Sequence, residues 1–177
     1  MRSITAARCL MNTKFEVLVY CEDEPAALAA AEAALDEIAK VERQISRFRP
    51  DSEISHVNRE AATRPVRVSP TVFDLLERIQ RLVPETDGLF DPTITPLLEL
   101  WQKKALAGQT PSPTELDLVT HKVGIHKVEL SRATRTVRFT VPGMALDLSG
   151  IGKGYALDVA ANLLAENGVG AAFIHGG

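Results

Sequence analysis

A long amphipathic segment between residues 24 and 48 limits the possible folds of this chain more than any other feature. Its apolar residues recur three or four positions apart, at Leu28, Ala31, Leu35, Ile38, Val41, Ile45 and Phe48. This spacing predicts one buried helical face, on a helix from about Glu24 to Ser46. Such a face must pack against another element, and the alternating, β-branched stretch Lys14–Tyr20 directly before it predicts a strand.

The rest of the chain also mixes helix and strand signals. Ser69 and Pro70 predict a helix start, with the serine as N-cap and the proline in the first turn. The other predicted elements are, in order, a short helical turn capped by Asp51 or Ser52, a strand in "RPVRVS", a helix after Pro70 that buries Val72, Leu75, Leu76, Ile79 and Leu82, short helices in "PLLELW" and "SPTELDLV", strands in "HKVELS", "TVRFTV" and "ALDLS", a helix to about Asn167 and a strand in "AAFIH". We therefore predict an α+β fold, one domain with a mixed or antiparallel sheet and packed helices.

Composition excludes several classes of protein. Among the 177 residues, 45% are hydrophobic and 24% are charged, and the net charge of -3 comes without any basic block, which argues against a nucleic-acid surface. No apolar run approaches the roughly 20 residues that span a bilayer. The residues before Cys9 lack the apolar run of a signal peptide or of a lipid-attachment site. We expect a cytoplasmic protein with no membrane segment.

The stretch "DLSGIGKGYALD", from Asp147 to Asp158, carries the strongest chemical signal. A strand that enters a glycine-rich turn and opens a helix presents backbone N–H groups at the positive end of the helix dipole, where anions bind. The spacing fits neither a P-loop nor a dinucleotide fingerprint. Phosphate binding and a purely structural tight turn both remain open. Asp147 could likewise contact a ligand or a metal, or only cap the helix.

Four stretches together carry a resemblance to a known family. "ALDLSGIGKGYALD" is similar to the central motif of the FAD:protein FMN transferases, once called thiamine-biosynthesis lipoproteins. "MNTKFEV", "ISRFRPDSEISHVN" and "TDGLFDPTITPLLELW" resemble three further segments of that family, and all four stand in the family's order between Met11 and Gly177. The resemblance identifies residues 1–177 as the N-terminal part of a flavin transferase domain.

The resemblance implies an enzyme that splits FAD at its pyrophosphate. The FMN half is joined through a phosphoester to a threonine or serine hydroxyl of a target flavoprotein, and AMP is released, with Mg²⁺ as the usual metal. Two alternatives remain open. One is a Mg²⁺-dependent FAD pyrophosphatase, in which water replaces the protein hydroxyl. The other is a flavin-binding module without catalytic activity.

The resemblance also assigns site residues. The positions that match flavin-nucleotide contacts of the family are Met11, Phe48, Leu89, Phe90, Asp91, Asp147 and Lys153. Gly150 matches a position that offers its backbone carbonyl to Mg²⁺. Each has a simpler explanation: the two phenylalanines could be core residues, Asp91 could be only a helix cap, and Lys153 could be a solvated helix residue.

Three positions depart from the family pattern. Asn12 stands where the family has glycine, and asparagine tolerates a positive φ better than most residues. His175 stands where a small or amide residue is common, so its role is open. The sequence stops at Gly176-Gly177, within a family motif, and the resemblance predicts the catalytic residues and later metal ligands beyond Gly177. We expect a truncated chain with little or no activity by itself.

Overall fold

The computed structural model describes residues 2–177 and contains six strands and six α-helices there. The strands are β1 (Arg2–Leu10), β2 (Thr13–Cys21), β3 (Val66–Arg67), β4 (Val128–Ser131), β5 (Thr136–Phe139) and β6 (Ala172–His175). The helices are α1 (Glu24–Ile45), α2 (Glu53–Glu60), α3 (Pro70–Glu85), α4 (Thr95–Leu106), α5 (Pro113–Thr120) and α6 (Ser149–Glu166), with 3-10 turns at Pro92–Ile94 and Ile125–Lys127. None of the helices in this range has the length and hydropathy of a membrane-spanning segment.

The α+β class is confirmed, and both sheets are antiparallel. Each has three strands, in the orders β1-β2-β6 and β3-β5-β4. Two compact units contain them. The first combines the chain up to Gln44 with Ile151–Gly177, and the second is Ile45–Gly150.

The first unit contains a strand that the sequence did not predict. The prediction placed the first strand at Lys14, but β1 already runs from Arg2 to Leu10 and pairs with β2 along its whole length. Its two alanines have weak strand propensity, so cross-strand pairing outweighs local preference here. The two-residue connection has positive φ at both Met11 and Asn12, 49° and 59°, as a tight hairpin turn requires. Asn12 therefore does adopt the backbone conformation that glycine would favour.

The predicted apolar face of α1 is confirmed except at its two ends. Ala31, Leu35, Ile38, Val41 and Ile45 are buried. The prediction was wrong for the first and last residues of the stripe: Leu28 is exposed in the first turns of the helix, and Phe48 lies beyond its end and is also exposed. The helix ends at Ile45, one residue earlier than predicted.

The second unit contains the predicted helix starts. Ser69 caps α3 by accepting a hydrogen bond from the N–H of Val72, and Ser52 caps α2 in the same way. Four of the five residues predicted to face the core from α3 are buried. The exception is Leu82, which is only half-buried. Its neighbour Val83 faces the core in its place and is buried.

The predicted strand "ALDLS" (residues 145–149) is absent: residues 144–148 have no regular secondary structure, and Ser149 is the first residue of α6. Their backbone groups bond to other partners. The side-chain amide of Asn58 donates to the carbonyl of Leu146 at 2.9 Å, and its Oδ1 accepts from the N–H of Leu146 at 2.7 Å. The N–H of Asp147 donates to the carbonyl of Pro92 at 2.8 Å. One side chain and one loop carbonyl thus replace a neighbouring strand.

We predict that Asn58→Leu lowers the free energy of unfolding by about 2–4 kcal/mol, because it leaves the N–H and the carbonyl of the buried Leu146 without partners. Urea unfolding measures this. Asn167→Ala is the control, since Asn167 is exposed and donates one bond, to Leu163, so we expect a change below about 1 kcal/mol. Equal effects of the two substitutions would contradict the role given to Asn58.

Candidate functional site

The glycines of the central motif lie on a helix rather than in a loop. α6 begins at Ser149, so Gly150, Gly152 and Gly154 occupy its first two turns, and none has a positive φ. The predicted glycine-rich turn is therefore wrong. At Gly150 a side chain would crowd Phe90: a Cβ there would lie 3.1 Å from Cε2 of the ring, which is tighter than most such contacts, whereas a Cβ on Gly154 would meet nothing within 4 Å. The N–H of Gly150, in the first turn, has no acceptor within the helix.

Asp147 is the centre of the polar contacts before α6. Its Oδ2 accepts a hydrogen bond from Nε of Arg47 at 2.7 Å, and its Oδ1 accepts from the N–H of Ser149 at 2.8 Å and from the Ser149 hydroxyl. The two charged side chains are mostly buried, with 15% of Arg47 and 11% of Asp147 exposed. Asp147 therefore stabilises the start of the helix, which is the simpler of its two predicted roles. Its charged carboxylate is also mostly shielded from solvent.

The carboxyl group of Asp147 is held in its ionised form. Burial raises its pKa, but the two hydrogen bonds from Ser149 and the charge of Arg47 together lower it by more, so the pKa lies below the ordinary aspartate value. At neutral pH the site therefore presents a carboxylate next to a guanidinium.

The segment before α4 lies next to Asp147. Pro92 accepts the hydrogen bond from the Asp147 N–H, and Phe90 contacts the position of Gly150. The carboxylate of Asp91 is used within the protein: Oδ1 accepts from the N–H and hydroxyl of Thr93, and Oδ2 accepts from the N–H of Ile125 at 3.2 Å. This agrees with the capping role of Asp91, and a direct ligand contact by its side chain stays a prediction.

Several of the predicted residues lie together in the second compact unit. Phe48, which touches the guanidinium of Arg47, lies close to Asp147, as do Phe90 and Gly150. Leu89 is 94% exposed and follows Gly88, a residue with positive φ. Met11, in the hairpin turn between β1 and β2, and Lys153, half-buried on α6, belong to the other compact unit.

A cavity of about 350 Å³ opens beside Arg47. Its volume is at the lower end of the range for small-molecule sites. The residues that line it are Arg47, Phe48, Pro50, Ser55, Asn58, Arg59, Thr95, Glu99 and Ala145. Thr95, at the first position of α4, is fully buried, and its hydroxyl has no hydrogen-bond partner within the described part of the chain. A buried hydroxyl without a partner is destabilising.

Four residues of this region were not predicted from the sequence: Arg47, Asn58, Thr95 and Ser149. Arg47 and Asn58 stand in the quoted "ISRFRPDSEISHVN" stretch, and their partners lie 100 and 88 residues away. The one signal for Arg47 in the sequence was its position directly before Phe48, an aromatic residue that was predicted to contact the ligand. No local pattern could have indicated an unpaired hydroxyl at Thr95, since pairing depends on the packed neighbours.

Comparison with known proteins shows that this chain is similar to the members of one family. A family model described as the ApbE family matches residues 11–177. An FAD:protein FMN transferase of Chlamydia trachomatis is 32% identical over 143 residues, which covers 80% of this chain and 45% of the relative. A second, from Treponema pallidum, is 28% identical over 183 residues, which covers 98% of this chain and 50% of the relative.

The same similarity holds in three dimensions. The crystal structure of the ApbE protein from Thermotoga maritima matches with a TM-score of 0.87 at 25% identity, covering 99% of this chain and 57% of that one. The chain spans about half the length of the curated relatives it matches.

We predict opposite effects on stability for two buried threonines. Thr95→Val should raise the free energy of unfolding by about 1 kcal/mol, because it removes an unpaired buried hydroxyl. Thr93→Val, two residues away and equally buried, should lower it by about 2 kcal/mol, because the Thr93 hydroxyl donates to Asp91 and accepts from the N–H of Gly124. Chemical denaturation of both variants measures the difference. A loss at Thr95 as large as that at Thr93 would refute the assignment.

We predict that Asp147 contributes stability that depends on pH. Because its folded pKa is lowered, the contribution is present above the unfolded value of about 3.9 and is lost as the pH falls through the folded pKa. Asp147→Asn should therefore be destabilised by more than about 2 kcal/mol at pH 7, and the difference from the parent should shrink toward pH 3. Asp51→Asn, at an exposed pair with Arg49, should show a much smaller difference. A gap between parent and Asp147→Asn that is constant with pH would contradict this prediction.

Proposed function

The chain belongs to the ApbE family, and from this premise we propose that it acts in the transfer of FMN from FAD to a protein. In this reaction the pyrophosphate of FAD is broken, the FMN phosphate forms a phosphoester with a threonine or serine hydroxyl of a target flavoprotein, and AMP leaves. The observation that carries the proposal is the placement of Asp147 at the start of α6. Arg47 and Ser149 fix its carboxylate there, in the central motif of the family.

The residues around Asp147 fit one part of a flavin nucleotide. Phe48 is 66% exposed at the cavity, so its ring face is available to an aromatic ligand. The Asp147 carboxylate can accept a hydrogen bond from the ligand, and the positive end of the α6 dipole together with Arg47 favours a phosphate group nearby. The unpaired hydroxyl of Thr95 gives a further polar group at the cavity wall. In this proposal these residues bind and orient FAD.

The proposal for Mg²⁺ has less support in the residues of this chain. Mg²⁺ prefers an octahedral shell of oxygen ligands, often one or two carboxylates with water and substrate phosphates. Within residues 2–177 no group of three His, Cys, Asp or Glu side chains converges. Gly150 offers one backbone carbonyl, and the carboxylate of Asp147 already accepts bonds from Arg47 and Ser149. These residues alone do not fit a Mg²⁺ site, so Mg²⁺ dependence rests on the resemblance and no step is derived through the metal.

The partner and the location are also proposals. A flavin transferase acts on a second protein, so we propose a target flavoprotein that carries the acceptor threonine or serine. The cytoplasmic location inferred from the first residues of the sequence stays a prediction.

We predict that residues 1–177 bind FAD and that Asp147→Ala weakens this binding at least tenfold while the protein remains folded. Titration of FAD with and without Mg²⁺, followed by flavin fluorescence, gives the affinity, and thermal unfolding checks the fold. Asp51→Ala is the control, because its carboxylate pairs with Arg49 on the surface. No detectable FAD binding by the parent chain would refute the proposed function.

A transfer assay with FAD, Mg²⁺ and a threonine-bearing acceptor protein separates the three candidate activities. Covalent flavin on the acceptor together with free AMP supports the transferase. FMN and AMP with an unmodified acceptor would indicate a pyrophosphatase, and bound but intact FAD would indicate a binding module. The same assay measures how much activity residues 1–177 have by themselves.

A further inference from the structure

Arg47 joins two residues of the candidate site through one guanidinium group. Its Nε donates to Oδ2 of Asp147 at 2.7 Å, and its Cζ lies 4.3 Å from the centre of the Phe48 ring. Its Nη1 is 4.0 Å from Oε1 of Glu99, so this third interaction is weak. The family resemblance assigned ligand contacts to Phe48 and Asp147, but it assigned no role to the arginine between them.

A role in stability alone explains these contacts poorly. A mostly buried ion pair adds little net stability, because both charges lose their hydration. A ring that served packing would be buried, yet Phe48 is 66% exposed while the guanidinium under it is mostly buried. Arg47 and Phe48 both line the cavity, and the same guanidinium binds the carboxylate of Asp147. A ligand that stacks on the ring and bonds the carboxylate would use this arrangement.

We propose that Arg47 is the positioning residue of the flavin site, fixing the Asp147 carboxylate and the Phe48 ring for the ligand. The inference rests on the function proposed above. Arginine suits this role because its planar guanidinium can stack on a ring with one face and donate in its own plane to a carboxylate. Lysine carries the same charge but has no plane, so it would keep the ion pair and lose most of the stacking.

Four single variants and one double variant test the proposal by FAD titration. Arg47→Met should weaken FAD binding at least tenfold, and Arg47→Lys should restore part of it, to within about threefold to fivefold of the parent. Arg49→Met is the matched control: Arg49 lies two residues away, forms an exposed pair with Asp51 and should stay within twofold. Asp147→Asn and Arg47→Met/Asp147→Asn complete a double-mutant cycle.

The cycle separates positioning from a direct contact. If Arg47 acts through Asp147, Arg47→Met should cost clearly less affinity in the Asp147→Asn background than in the parent. Equal losses in both backgrounds would overturn the proposal, as would unchanged FAD affinity in a folded Arg47→Met protein. Should Arg47→Met fail to fold, Arg47→Lys still decides, because a loss equal to that of Arg49→Met would also overturn it. Absence of FAD binding in the parent would instead refute the proposed function.

Discussion

The two hydrogen bonds between Asn58 and Leu146 fix the segment on which the candidate site depends. Residues 144–148 lack a neighbouring strand, and the side-chain amide on α2 supplies both the donor and the acceptor that a strand would have supplied. With Leu146 anchored, the next residue, Asp147, bonds through its N–H to Pro92 and through its carboxylate to Arg47. The start of α6 follows directly. The segment therefore needs no strand beside it at Leu146 and Asp147, because other groups accept and donate these backbone hydrogen bonds.

The polar side chains near Asp147 differ in whether they have hydrogen-bond partners within the protein. Asp91 and Thr93 bond to each other and to the backbone of Gly124 and Ile125, so they form a closed network that holds two loops together. The buried hydroxyl of Thr95, by contrast, has no hydrogen-bond partner within residues 2–177. A polar side chain whose hydrogen bonds are all made within the protein indicates a structural role. An unpaired polar group at a cavity wall is common where a ligand binds.

Family membership and the chain's own residues support different parts of the functional proposal. The match over residues 11–177 and the structural similarity establish the family. The proposed binding of FAD is supported by Phe48, Asp147 and the start of α6, all of which lie in Ile45–Gly150 or begin there. The metal has the weakest local support, because one backbone carbonyl at Gly150 does not form a ligand set. Nucleotide binding is therefore the part of the proposed reaction that these residues support best.

Local patterns in the sequence determined most helices and the family motifs. The periodic apolar stripe of α1, the Ser69 cap with Pro70 and the helix after Asp147 are properties of neighbouring residues, so they were predictable. Three features depended on residues far apart in the chain. β1 forms because it pairs with β2, the "ALDLS" stretch is not a strand because Asn58 takes its hydrogen bonds, and Arg47 reaches Asp147 across 100 positions. Hydrogen bonds and ion pairs form between groups that are close in the folded chain. The spacing of residues along the sequence does not show which distant groups become close.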